Sequence, residues 1–185
     1  MLIIFCVTFI GMMGFGIILP LFPFYAERMG ASPEVITLTM AAFSLGQFIA
    51  APYWGRLSDS IGRKKTLAIT LLGSGISYVI LAYAPTLTIV ILSRVLSGLM
   101  AGNIAVAFAY VSDITTDENR SAGLGKVSAG LGLGFMVGPA IGGMLAGNSV
   151  ESANYLLTAL SAAAINFIAM FATLFFLKES LDDSS

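Results

Sequence analysis

Histidine is absent from this chain and cysteine occurs once, at Cys6. Zinc and haem sites of the usual kinds therefore lack a ligand set. A Ser-His-Asp or Cys-His nucleophile within the chain is impossible, and so is an intrachain disulfide. Cys6 lies in an apolar run and reads as a small buried hydrophobe rather than a reactive thiol. Charge is also scarce: Asp, Glu, Lys and Arg make up 10% of the 185 residues, against about 25% in soluble domains. A net charge of −1 offers no basic face for phosphates, so nucleic acid is not an expected partner. No carboxylate pair or nucleophile–base set falls inside an apolar stretch, so neither an enzyme nor a cofactor or metal site is expected.

What fills the chain instead is apolar: 57% of residues are hydrophobic. A soluble fold of this size has too little interior to hide that surface, and the bilayer is its natural solvent. Six apolar stretches are long enough to cross, roughly 2–24, 36–54, 66–84, 87–111, 123–146 and 155–177. Turn and charge signals interrupt them, among them Glu27-Arg28, Asp113 to Arg120, and 148–154 with Glu151. In lipid each backbone polar group must be satisfied within its own segment, so these spans are helices. The expected fold class is an all-α membrane protein, a six-transmembrane-helix bundle over 1–177, embedded in membrane lipids. Residues 178–185 read as the start of a cytoplasmic linker. The first stretch has no basic n-region and no small-residue cleavage site, so it is expected to be a retained span.

Basic residues set the orientation. The loops after spans 2, 4 and 6 hold Arg56, Arg63, Lys64, Lys65, Arg120, Lys126 and Lys178, and those after spans 1, 3 and 5 hold only Arg28. Both ends are expected in the cytoplasm of a multi-pass protein of the cell (inner) membrane.

Four strings carry more than hydropathy. Residues 55–65 read GRLSDSIGRKK, with Gly55 and Gly62 suited to a tight reversal, Asp59 to an ion pair or helix cap, and Arg63, Lys64 and Lys65 to the cytoplasmic side. Span 4 holds Arg94, the one ionisable residue well inside a span, with Gly98 and Gly102 on its helix face. An intramembrane charge marks function by default, the alternative being snorkelling to the interface. Span 5 carries Gly130, Gly134, Gly138-Pro139, Gly142 and Gly143, a bare stripe permitting close helix approach with a kink at Pro139. Span 1 reads GFGIILPLFPFY over 14–25.

Together these strings resemble the major facilitator superfamily, and in span 1 and the G-P-x-x-G-G of span 5 its drug/proton antiporter branch. The resemblance covers the whole chain but half of the family's machine, in which two six-helix bundles, each a 3+3 inverted repeat, surround a central cavity. It implies a conformational-switch loop of Gly55, Asp59, Gly62, Arg63 and Lys64, with Asp113 pairing Arg63 or standing as an ordinary interface acid. It implies a coupling role for Arg94 with Gly98, and an antiporter motif of Gly134, Gly138, Pro139, Gly142 and Gly143. Spans 1, 2, 4 and 5 would line the cavity or the seam between halves, with spans 3 and 6 toward lipid. Gln47 and Asn103, with Phe15, Phe43 and Phe135 as apolar wall, are then cavity candidates, helix packing being the other reading for each. Leucine at Ala169 in span 6 would be tolerated.

The implied function is the N-terminal half of a proton-coupled drug or multidrug efflux antiporter, exporting small lipophilic, cationic compounds. An exporter of sugars, metabolites or lipid-linked glycans is the alternative, as is a half-size transporter working as a homodimer. No carboxylate precedes Glu27 in span 1 and none lies mid-membrane, so the acid that carries a proton lies in the other half, or Asp113 serves, or transport is not proton-driven. The glycine stripe and the small stripe Ala42, Gly46, Ala50 are expected to need a partner surface, either the C-terminal half or a second copy.

Overall fold

The computed structural model describes residues 1–147 and 153–181. The loop around Glu151 and the end of the 178–185 tail fall partly outside them. Among the described residues every regular element is a helix: α1 (Leu2–Ile18), α2 (Phe22–Arg28), α3 (Pro33–Ile61), α4 (Arg63–Ala82), α5 (Leu87–Met100), α6 (Asn103–Ile114), α7 (Asp117–Ala146) and α8 (Tyr155–Phe176). They compose six spans long and apolar enough to cross a membrane, with α1–α2 forming the first and α5–α6 the fourth.

The two broken spans have local causes. Pro20 and Pro23 bring no N–H to the ladder, and the chain tightens to a Leu21 N–H···O=C Ile18 turn of 3.1 Å between α1 and α2. The second break, at Ala101–Gly102, sits under Trp54. A Cβ at Gly102 would run into the Trp54 side chain, and the indole Nε1 donates to the Leu99 carbonyl at 2.6 Å. The ring thus occupies the break and satisfies a carbonyl beside it.

Helix starts follow ordinary capping chemistry. Ser32 is extended ahead of Pro33 at the start of α3, with Glu34 in the first turn. The Thr86 hydroxyl accepts from Ile89 N–H at 3.4 Å, and the Asn154 side chain from Leu157 N–H at 2.9 Å. Polar turns extend some helices well beyond the apolar runs. The second span is Pro33–Ile61 rather than 36–54, and the fifth begins at Asp117 rather than 123. Hydropathy reports where lipid is, whereas the helix continues until its backbone is turned.

α1 packs most extensively on α7, α4 on α8, and α3 on α5. The core runs as two main clusters, one around Ile17, Tyr78, Leu81, Val90 and Ala162, the other around Ile4, Trp54, Leu67, Val106 and Val127. Spans 3 and 6 each bury one face inside this bundle and leave an apolar stripe exposed. α4 is the most enclosed span and exposes only one stripe, with Ile69, Leu72, Ile76 and Ile80 outward. In α8, Ala169 is 0% exposed, so leucine there would overpack the core and the expected tolerance does not hold. α3 is the most open span, with Leu38, Leu45, Phe48, Ile49 and Tyr53 outward.

Candidate functional site

The string 55–65 is hardly a loop. Residues through Ile61 continue α3, α4 starts at Arg63, and Gly62 alone makes the reversal at φ +104°. That conformation suits glycine. Gly55 lies inside α3 with open space where a Cβ would stand, so it plays no part in the turn.

Arg63 is buried at this junction and collects partners from both sides. Its Nε donates to Asp113 Oδ2 at 2.8 Å, and its Nη1 to Ser58 Oγ at 2.5 Å. Nη1 also pairs with Asp59 Oδ1 at 2.6 Å, one helical turn back. Asp59 keeps 60% of its side chain exposed, Asp113 only 26%. Two residues beyond α8 complete the cluster. Ser180 Oγ donates to Asp113 Oδ2 at 3.1 Å, and Glu179 Oε1 accepts from Arg63 N–H at 2.8 Å. Lys64 adds its backbone N–H to Glu179 Oε2 at 3.3 Å. A carboxylate on the first N–H groups of α4 complements the helix dipole. Ends of α3, α4, α6 and the segment after α8 are thereby tied at one point. Ser58, Glu179 and Ser180 escaped sequence reasoning, since Glu179 sits in a polar tail and nothing in its spacing points to α4.

The second constellation lies between the spans. Phe15, Phe43, Gln47 and Asn103 line one cavity of about 110 Å³ together with Tyr78, Ser97 and Asn166. The Phe15 and Phe43 rings stack at 5.1 Å and 19°. Phe135 stacks on Phe15 at 6.4 Å but does not line the cavity. Asn166, in a span expected to face lipid, is 2% exposed and fills the space above Gly14, where a Cβ would collide with its amide.

A neighbouring cavity of about 210 Å³ shares Phe15, Phe43 and Gln47 with the first and adds Leu19, Phe22, Met40, Ser44 and Arg94. Arg94 does not snorkel: it is 5% exposed, and its Nε and Nη2 are buried without a hydrogen-bond partner. Its Cζ stands 5.7 Å from the Phe22 ring and 5.2 Å from Tyr78. Such contacts are worth about 0.5–2 kcal/mol each, less than the several kcal/mol of desolvating a guanidinium. One turn on, Gly98 lets the Phe43 carbonyl of α3 approach the α5 backbone.

The glycines of α7 correct another expectation, because their partner lies within this chain. A Cβ on Gly130 would sit 2.9 Å from Phe5 O, on Gly134 3.0 Å from Met13 N, and on Gly138 2.7 Å from Gly16 Cα. Gly142 meets the Ile17 carbonyl. The stripe is thus the seat of α1, which reciprocates with Gly16, where a Cβ would stand 3.1 Å from Pro139 Cδ. Gly46 likewise meets α5, where a Cβ would stand 3.3 Å from Leu99 N. Pro139 is accommodated inside α7 without ending it. What remains open on α7 is a different face: Gly125, Gly132 and Gly143 have nothing near a Cβ, and Phe135, Met136 and Met144 are exposed.

The sequence profile of the Major Facilitator Superfamily matches residues 4–184. Multidrug resistance protein 2 of Bacillus subtilis (strain 168) is 37% identical over 174 residues, 94% of this chain and 42% of that protein. Tetracycline resistance protein, class C, of Escherichia coli is 34% identical, with 90% of this chain and 42% of that protein covered. Among solved structures, the human organic anion transporter MFSD10 (TETRAN) superposes at a TM-score of 0.83 with 23% identity, covering 97% of this chain and 47% of that one. The chain spans less than half the length of these curated relatives.

Proposed function

The chain belongs to the Major Facilitator Superfamily, and we propose that it acts as the first six-helix half of a proton-coupled drug efflux antiporter. The observation that carries this reading is the Asp59–Arg63–Asp113 cluster at the α3–α4 junction. Arg63 and Asp113 are held from several elements, while Asp59 keeps most of its carboxylate exposed. A charge of that kind is placed to contact a second body in one conformation and lose it in another. Differential contact is what lets a residue bias an equilibrium. The open faces of α3 and α7 are where the C-terminal half, or a second copy of the chain, would lie. The cavity around Phe15, Phe43, Gln47 and Asn103 would form one wall of the transport path, and resemblance to resistance proteins supports small lipophilic substrates.

Asp113 is a structural acid in this reading, since its carboxylate accepts from both Arg63 and Ser180. The acid that exchanges protons then belongs to the other half. Transport rather than catalysis is supported by the same scarcity of membrane-depth acids.

The test is drug flux driven by a pH gradient in vesicles holding the full-length transporter, across a panel of lipophilic dyes. Asp59→Asn is expected to lower flux about tenfold with membrane insertion unchanged. Full flux in that variant reduces the cluster to a topology anchor, and flux indifferent to the gradient removes proton coupling.

The basic residues after spans 2, 4 and 6 put both chain ends in the cytoplasm. Reporter fusions at Met1 and Ser185 should both give the cytoplasmic signal. A signal from the far side at either end reverses the assignment.

A further inference from the structure

Arg94 lines a cavity whose other lining residues bring no opposite charge. Two of its nitrogens, Nε and Nη2, are buried and unpartnered. Phe22 and Tyr78 hold the guanidinium by its flanks, and the Tyr78 hydroxyl offers it a neutral hydrogen-bond partner that brings no opposite charge. Among the residues lining this cavity none is acidic: its walls are Leu19, Phe22, Met40 and the Phe15–Phe43 pair, and Ser44 and Gln47 are its other polar side chains. The adjoining cavity also has no acid in its lining.

This is an amphipathic slot with a cationic end. Guanidinium donors match a carboxylate in their own plane, and stacked aromatic walls match a flat ring system. We propose that this cavity is a charge-recognising subsite that takes the carboxylate of an aromatic monoanion or zwitterion, the anionic group on Arg94 and the ring against Phe15 and Phe43. The proposal rests on the transport reading and specifies its substrate class. It also reverses the preference for cations expected from the sequence. A cationic ligand in this slot would face a like charge, and the lining has no acid to offset it. Ligand specificity follows from the same asymmetry: a neutral isostere would leave the buried donors unmet.

The experiment compares three probes of one shape, 2-naphthylacetate, its primary amide and 2-naphthylethylamine. Binding to the purified full-length transporter in phosphatidylcholine nanodiscs is measured by displacement of the radiolabelled carboxylate. The carboxylate is expected to bind at least about tenfold more tightly than the amide and more tightly still than the amine. Arg94→Gln should erase that ranking, and Arg94→Lys, which keeps the charge without the fork, should retain part of it. If Arg94→Gln does not fold, the wild-type ranking and the lysine variant still decide. Equal binding of all three probes by wild type overturns the proposal, since the counter-ion of Arg94 would then be supplied by the protein itself. Ranking that survives in Arg94→Gln overturns it too. An anionic lipid as the true occupant would appear as loss of carboxylate binding when phosphatidylglycerol replaces phosphatidylcholine, which also counts against it. Failure of the transport reading is seen separately: it is the absence of any gradient-driven flux while Arg94-dependent carboxylate binding persists.

Discussion

Gly138→Leu is expected to keep the chain from forming a stable bundle, whereas Gly132→Leu, less than two turns away on the same helix, should leave the bundle folded. A Cβ at Gly138 would stand 2.7 Å from both Gly16 Cα and Met13 O. These are backbone atoms, so no rotamer change can make room. α1 would have to move off α7, and the close seats at Gly130, Gly134 and Gly142 would open with it. Overpacking of an ordinary core site costs about 1–3 kcal/mol. Separation along the longest helix contact in the fold belongs at or above the top of that range. Gly132 has nothing within 4 Å of its Cβ position, so leucine adds no clash there. Monodispersity and thermal midpoint in mild detergent provide the comparison. Similar behaviour of the two variants would mean that α1 does not sit on the stripe. A Gly132 variant that folds yet no longer transports would show that the open face of α7 meets another body.

Spacing alone was enough to mark the stripe, because residues four apart share a helix face. It could not name the partner. A bare face says that something approaches closely, and both the other half of the machine and α1 satisfy that. The assignment of the stripe to an external surface failed for this reason, and Gly46 and Ala50 failed with it. The six spans were legible because lipid leaves the backbone no alternative to helices. Their interruptions were not, since the runs through Leu19–Leu21 and Ala101–Gly102 are as apolar as their surroundings. The second break depends on where Trp54 lies, a tertiary fact. Arg94 announced itself by being charged, yet its burial between Phe22 and Tyr78 depends on α2 and α4 packing there. Ala169 was misjudged through a rule about a whole helix, whereas burial is decided face by face. Glu179 was hidden because capping of α4 by a residue 116 positions away has no local signature.

Arg63→Gln should destabilise the folded half more than any other single change at the α3–α4 junction. Removing one member of a buried ion pair costs about 3–5 kcal/mol, because the partner is left charged and underpaired. Arg63 qualifies, with 9% of its side chain exposed. Its partners are wetter, which brings the expected loss to the low end, roughly 3 kcal/mol. The two acids should not share it equally. Asp113 is 26% exposed and also accepts from Ser180, so its coupling to Arg63 should reach about 2 kcal/mol. Asp59 is 60% exposed, and exposed pairs one helical turn apart give below about 1 kcal/mol. Double-mutant cycles on Arg63→Gln with Asp113→Asn and with Asp59→Asn, read from thermal or denaturant unfolding, separate the terms. The inequality matters for mechanism. A carboxylate held by less than about 1 kcal/mol can exchange Arg63 for another surface at little cost, whereas one held by several cannot act as a switch. Equal couplings for the two acids would therefore remove Asp59 as the movable contact and leave the cluster as a static brace between α3, α4 and α6.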